Sequence, residues 1–309
     1  MLKRLSSANK KSLVEDSNDI HEENQYLSLI RDILECGYME EGRNGNALTV
    51  FGSAMHFSLE NNKIPLMTTK RLAWKTCLRE LLWFVKGSTD NKLLKEKNVH
   101  IWDANASREF LDSRKLYNLQ EDDLGPVYGH QWRFFNAPYT SCNDDYTGKG
   151  VDQLDYIIKS LKDPNTRNSR RLVMSAWNPC QIDEMALPPC HVLCQFNVID
   201  GNKLSCSLYQ RSGDIGLGVP FNIASYSFLS HLIAKHCDLI ATDFYYYLGN
   251  CHIYDDHIES LRIQLKREPF EFPTLTISDK LENINDYSED MFVISDYKFH
   301  ENIKMEMRK

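Results

Sequence analysis

The residues best suited to chemistry lie between Leu187 and Asn222. Leu187-Pro188-Pro189-Cys190-His191 is followed by two alternating segments, then by Tyr209-Gln210-Arg211-Ser212-Gly213-Asp214 and Gly218-Val219-Pro220-Phe221-Asn222. Together they offer a soft nucleophile, a guanidinium suited to phosphate, a carboxylate and a carboxamide. A nucleophilic thiolate needs its negative charge favoured, and Arg211 at the far end of the paired strand is a source of that field. Most cysteines in such places are inert; the company of Arg211, Asp214 and Asn222 sets Cys190 apart.

Three other chemistries fail on spacing. A zinc nucleotide deaminase needs His-x-Glu followed by Pro-Cys-x-x-Cys. Here Pro189-Cys190 is followed by Cys194, one residue too far, and His257-Ile258-Glu259 comes afterwards. The signature of papain-like proteases around the cysteine is missing. No glycine-rich phosphate loop is present.

The elements that must position these groups can be read from periodicity. Tyr26, Leu27, Ile30, Ile33 and Leu34 mark a helix stopped by Gly37. Leu48, Val50, Met55, Phe57 and Leu59 mark a strand whose phase slips at Gly52-Ser53, as at a bulge. Leu72 to Lys86 reads as a helix closed by Gly87. On it Glu80 shares the apolar stripe of Ala73, Cys77 and Phe84, where an unpaired carboxylate would cost several kcal/mol. A structural carboxylate with backbone or arginine partners is the equal alternative. Gly125 to Gly129 is a tight turn carrying Tyr128, residues 136–150 an exposed loop, and Leu154 to Leu161 a short helix. Arg167, Arg170 and Arg171 precede a strand from Leu172 to Trp177; such arginines are usually a solvated edge.

Val192 to Ile199 and Leu204 to Tyr209 form paired strands joined at Asp200-Gly201-Asn202. Pro220 to His236 is apolar all round, hence a buried helix, with Pro220 at its first position and Asn222 in its first turn. A strand from Phe244 to Leu248 and a helix from Ile253 to Leu265 follow. Without regular strand–helix alternation, α+β is the expected class. Residues 1–23 read as a disordered polar extension and 24–309 as one catalytic domain.

The 309 residues carry a net charge of −7, which argues against broad nucleic-acid binding but not against a local cluster holding one small anion. No stretch is long and apolar enough for a membrane span. Nine cysteines, an odd number scattered through apolar runs, read mostly as core thiols in a reducing compartment.

From Ala186 to His191 the chain resembles thymidylate synthase, the folate-dependent dUMP methylase. The resemblance extends over Thr68-Thr69-Lys70-Arg71, Glu80 to Phe84, Ile101 to Asn105, Asp123 to Gly129, Tyr209 to Asp214, Gly218 to Tyr226 and His252-Ile253-Tyr254. It covers nearly the whole chain, from about Asn24 to Met307, with highly specific motifs. It implies a large mixed β-sheet packed with helices, and a homodimer formed through the sheet face. The implied reaction is reductive methylation of dUMP to dTMP. Here 5,10-methylenetetrahydrofolate is the co-substrate, Cys190 adds to C6 of uracil, and no metal takes part.

The resemblance also implies roles. Glu80 would organise water and protons around uracil O4 and the folate, and Tyr128 would help the C5 proton leave. Asn222 would pair with O4 and N3–H, and His191 would support the nucleophile's surroundings. Arg211 would bind phosphate while favouring the thiolate. Phosphate would also meet Arg43 and Ser212, with Arg170 and Arg171 given by the other subunit. Gln210 and Asp214 belong to the nucleotide set, and His252 and Tyr254 would hold the ribose hydroxyl. Folate would lie against Ile101, Trp102, Asn105, Leu217, Gly218, Phe221 and Met307, with Asp214 accepting from the pterin. A cytoplasmic location is expected, a nuclear one also for a eukaryotic source.

Three departures stand out. Asn44-Gly45-Asn46-Ala47 replaces the family's usual Arg-Thr-Gly-Thr-Gly turn around Arg43, and Asn197 replaces a commoner tyrosine. The tail ends Met307-Arg308-Lys309 instead of in a small residue and valine; the expectation is that Lys309 still presents the terminal carboxylate that closes the site. The competing functions are a dCMP hydroxymethylase on the same chemistry, for which an acidic residue at position 222 would be expected, and an RNA-binding regulator, weak RNA affinity being known among such proteins. Both are disfavoured: the first by Asn222, the second by the acidic balance and the lack of an aromatic-basic RNA motif.

Overall fold

A computed structural model of the chain describes residues 21–42 and 45–308. The expected extension up to residue 20, together with Arg43 and Lys309, lies outside the described residues. Residues 21–23, expected in that extension, belong to the described structure. Glu23 is fully buried and accepts hydrogen bonds from the backbone N–H and hydroxyl of both Thr68 and Thr69, at 2.6–2.8 Å. Four donors offset the cost of taking a carboxylate out of water.

Helix α1 (Asn24–Cys36) buries Tyr26, Leu27, Ile30 and Ile33 of the expected stripe, adds Leu29, and leaves Leu34 part-buried. It ends at Gly37, where a Cβ would stand 2.4 Å from the Ile33 carbonyl oxygen. Helix α2 (Trp74–Val85) is slightly shorter than its apolar pattern, and Gly87 beyond it takes a φ of +75°. Helix α3 (Tyr128–Phe134) begins at the residue expected in a turn, and α4 spans Gln153–Lys162. The 136–150 segment is a loop exposed over most of its length, as expected, and is anchored by Tyr146, which is buried between Tyr139, His130 and Phe134.

Strands β1 (Tyr38–Gly42), β2 (Gly45–Ser58), β3 (Val173–Ser175), β4 (His191–Ile199), β5 (Lys203–Asp214) and β6 (Ile240–Tyr254) form one mixed sheet in the order β1-β2-β6-β5-β4-β3. Strands β7 (Thr274–Ile277) and β8 (Phe292–Ser295) form a separate hairpin. The fold is α+β, as expected. Strands β4 and β5 are joined by the three residues Asp200-Gly201-Asn202 between the paired Ile199 and Lys203, and Asp200 and Gly201 both take positive φ. Strands β5 and β6 run parallel, so a crossover must join them. Helix α5 (Gly218–His236) supplies it, buried on almost every side, as its unbroken apolar composition requires.

Several boundaries differ from expectation for identifiable reasons. Pro220 is the third residue of α5, not the first, which moves Asn222 into the second turn. Strand β5 continues through Gln210–Asp214, and β6 through Cys251–Tyr254, because those residues pair with each other and with β2. The expected helix from Ile253 therefore begins only after a 3₁₀ turn at Asp255–His257, as α6 (Ile258–Gln264). The phase slip at Gly52 is not a bulge against β6, since the β2–β6 register is the same on both sides. Gly52 instead takes a φ of +89°, which turns the side chains over without inserting a residue. No described helix is long and apolar enough to cross a membrane.

Candidate active site

The sheet and α5 bring the central residues together. Cys190 lies directly before β4, half-buried, and its neighbour His191 pairs with Gln210 of β5. The next residue, Arg211, donates its backbone N–H to the Cys190 carbonyl at 3.0 Å. Its guanidinium reaches around the turn, with Nε 2.9 Å from the Pro189 oxygen and Nη2 2.9 Å from the Pro188 oxygen, and it lies over the Trp177 ring. Each proline lacks an N–H but keeps its carbonyl, so the Pro-Pro pair offers two acceptors that Arg211 can clamp. A fixed cation is thereby set against the loop that carries the thiol.

Behind Cys190 sits Tyr128, at the start of α3. Its oxygen accepts the Cys190 N–H at 2.8 Å, and its ring packs against His191, Phe84 and Trp102. Burial, then the nearby Cys190, pushes the phenol well above its usual range, so it stays a neutral O–H. His191 is buried and pushed down to about 4, despite an interaction with Asn222 that favours its charged form; it is a neutral ring at physiological pH. It therefore contributes polarity and packing rather than charge.

Glu80 lies where its helical phase put it, 6% exposed on the inner face of α2. Trp102 Nε1 donates to it at 2.7 Å. Burial lifts the carboxyl from 4.5 to about 7, outweighing that hydrogen bond, so it can both hold and release a proton near neutrality. Asn222 is buried on α5, its Oδ1 accepting from Gln210 Nε2 at 3.0 Å.

A second group gathers at the carboxyl ends of β5 and β6. A cleft of about 260 Å³ is lined by Ser212, Asn250, His252 and Tyr254 on one side, and by Glu40, Glu41, Gly45 and Thr49 on the other. Open α/β sheets bind ligands at this end of parallel strands, and here the β5–β6 pair is the parallel one. His252 is oriented by Asn250 Oδ1 at 3.0 Å.

A third group follows β5. Burial would raise the Asp214 carboxyl, but His257 outweighs it and holds the group below its ordinary value, so it is an ionised acceptor. His257 Nδ1 stands 3.8 Å away, a charge pairing more than a hydrogen bond. Asp214 Oδ1 accepts the Gly216 N–H at 2.9 Å, and buried Lys70 donates to the Gly216 carbonyl. Burial pulls the Lys70 amine down to about 8. Leu217, Gly218 and Phe221 continue from this loop into α5, all part-exposed, while Ile101, Trp102 and Asn105 lie on the segment that carries the indole of the Glu80 pair.

The tail docks beside this loop. His257 Nε2 donates to the Glu306 carbonyl at 2.7 Å, and Met305 approaches Gly216. Arg308 pairs with Asp255 at 2.7 Å and Asp256 at 3.0 Å, and lies over the Tyr254 ring. Met307 is half-exposed.

Arg170 and Arg171 are not gathered with the rest. They stand exposed before β3, and extending the β3–β4 register sets Arg171 opposite Asn197. That is seven residues along β4 from Cys190, roughly 20 Å at the rise of a strand. Sequence reasoning missed Trp177 under Arg211, and Lys70 and His257 around Asp214. None carried a local signal, because each matters only through partners distant in sequence.

The family model described as thymidylate synthase matches residues 24–309. Human thymidylate synthase is 53% identical over 288 residues, covering 93% of this chain and 91% of that protein. The thymidylate synthase of Herpesvirus ateles is 49% identical over 290 residues, with 94% and 99% covered. The bifunctional dihydrofolate reductase-thymidylate synthase of Plasmodium berghei is 51% identical over 288 residues, but this chain spans about half (48%) of its length. The match runs through all three groups of residues described above, and the chain belongs to the thymidylate synthase family.

Proposed function

We propose that this protein methylates dUMP to dTMP. The observation that carries the reading is the joining of Cys190, clamped by Arg211 through Pro188 and Pro189, to a buried carboxamide at Asn222 across one helix–sheet contact. Cys190 adds through sulfur to C6 of uracil, which turns C5 into a nucleophile. 5,10-Methylenetetrahydrofolate supplies the one-carbon unit and the hydride, and leaves as dihydrofolate. Between those events the C5 proton must depart, and the sulfur is expelled when the hydride arrives, so the thiol is regenerated.

The chain's own groups bind, orient and move protons. Asn222 has a donor and an acceptor for uracil's O4 and N3–H. Glu80, half-ionised near neutrality, shuttles protons through water at O4 and toward the folate. Tyr128, a neutral hydroxyl beside the nucleophile, helps the C5 proton leave. Ser212, His252 and Tyr254 take the phosphate and ribose end, and a share of the phosphate charge falls to Arg43. Asp214 is an ionised acceptor suited to pterin N–H groups, between the apolar walls of Ile101, Trp102, Leu217 and Phe221.

The remaining phosphate charge is met by Arg170 and Arg171 of a second copy. The sheet face away from α5 supports such a dimer, since Phe51, Tyr209, Tyr245 and Tyr247 are exposed on it, at 84%, 40%, 37% and 47%. No disulfide forms among the cysteines of the described residues, which fits a reducing cytoplasmic location. The test is dihydrofolate absorbance on mixing protein, dUMP and methylenetetrahydrofolate. Formation that is lost in Cys190→Ser supports the reading. Turnover of dCMP without dihydrofolate would replace it with a hydroxymethylase.

A further inference from the structure

His257 is fully buried at the end of the 3₁₀ turn Asp255–His257, and both of its ring nitrogens face acceptors. Nε2 lies 2.7 Å from the Glu306 backbone carbonyl. A carbonyl can only accept, so Nε2 carries a proton whatever the charge of the ring. Nδ1 is buried without a hydrogen bond, and it faces Asp214 Oδ1 at 3.8 Å. With Nε2 protonated, a neutral ring would turn the Nδ1 lone pair toward a carboxylate. A second proton turns that repulsion into a charge pair. Burial pushes the imidazole down, yet Asp214, the Glu306 carbonyl and Asp256 together raise it above its ordinary value.

The charged and titratable groups around this pair come from several elements. Asp256 Oδ1 is 3.9 Å from Nε2, and the Tyr254 ring meets the imidazole edge to face. His252 pairs with Asp214 across the parallel ladder, and Lys70 donates to the Gly216 carbonyl. Gly216 makes the close approach possible. A Cβ there would stand 2.7 Å from Nδ1, 3.1 Å from the Met305 sulfur and 3.4 Å from Asp214 Oδ1, wedging ring, tail and carboxylate apart. The Gly216 N–H donates to the same Oδ1 at 2.9 Å. That oxygen is thus held from two sides, and the other oxygen of the carboxylate is left for a ligand.

We infer that His257 is a positioning residue serving both folate recognition and tail docking: Nδ1–H steadies Asp214 for the pterin, while Nε2–H holds the tail at Glu306. This deepens the methylation reading above and rests on it.

The two ends can be cut separately. An asparagine amide nitrogen reaches where Nδ1 stands, and a glutamine amide nitrogen reaches where Nε2 stands. His257→Asn should keep a donor for Asp214 and release the tail; His257→Gln should keep the tail and leave Asp214 unsupported. Tail release is read by limited trypsin cleavage after exposed Lys304, whose carbonyl accepts from Ser260 Oγ at 3.1 Å in the docked tail. In His257→Asn that cleavage should quicken about tenfold, the worth of one buried hydrogen bond, and kcat should fall more than KM for methylenetetrahydrofolate changes. In His257→Gln that KM should rise about tenfold, the worth of one interaction with a charged group, while cleavage stays as slow as in the parent. Two folded variants with the same profile, both like the parent or both impaired alike, would overturn the inference. Either variant decides alone if the other does not fold: His257→Asn with a trypsin-resistant tail, or His257→Gln with an unchanged folate KM, overturns it. A parent chain that forms no dihydrofolate would instead overturn the methylation reading beneath it.

Discussion

Replacing Glu80 by glutamine separates what its carboxyl does for function from what it costs the fold. Glutamine keeps the shape and an acceptor for Trp102 Nε1, but it never ionises. Burial raises the native carboxyl from 4.5 to about 7. Between those values the folded state holds a proton that the unfolded state has released, so stability falls as pH rises. At about 1.4 kcal/mol per pH unit, the full window is worth about 3 kcal/mol. Glu80→Gln should thus resemble the parent near pH 4.5, gain on it through pH 7, and be more stable by about 3 kcal/mol at pH 8. Urea unfolding at fixed protein concentration and several pH values measures this, provided the slope with denaturant is unchanged. Turnover of the same variant should drop by roughly 10²-fold or more, the usual worth of a positioned acid–base group. A stability difference that stays flat from pH 5 to 8 would show that Glu80 is not raised by burial, and its proposed proton shuttling would lose its basis.

Other consequences are as direct. Asn222→Asp should weaken dUMP and strengthen dCMP in competition binding, since a carboxyl can share a proton with cytosine N3 and accept from its amino group; unchanged preference would contradict the carboxamide's role. Arg308→Ala frees the tail from Asp255 and Asp256. It should lower turnover more than dUMP affinity, because closure excludes water late in the cycle. Mixing inactive Cys190→Ser with an inactive Arg170→Ala/Arg171→Ala protein should restore part of the activity through hybrid dimers; no recovery after subunit exchange would mean the arginines do not cross between copies.

Much of this is legible in the residues alone. Glu80 betrayed itself by sitting in phase with Cys77 and Phe84, and helix geometry alone then required a buried carboxylate. The β4–β5 hairpin followed from Asp200-Gly201 between alternating runs, and burial of α5 from its lack of a polar face. What stayed hidden depended on pairing. The ends of β5 and β6 carry Gln210, Arg211, Asp214 and His252, polar residues that local pattern excludes from strands, and only the neighbouring strands hold them extended. The helix expected from Ile253 to Leu265 takes in residues that the ladder claims, since Ile253 pairs with Leu48 and Tyr254 with Ala47. The family resemblance named the residues of the proposed site, but Trp177 beneath Arg211 and the Arg308 contacts with Asp255 and Asp256 come from the packing of this chain.

The account stands on the Cys190 sulfur bonding to pyrimidine C6. Folded protein incubated with 5-fluoro-dUMP and methylenetetrahydrofolate should stall after that bond forms, because fluorine cannot leave as the C5 proton does. Intact-mass and peptide mapping should then find nucleotide and folate attached together at Cys190, and nothing attached in Cys190→Ser. Folded, nucleotide-binding protein that yields no such adduct, or carries it on another residue, would contradict the mechanism.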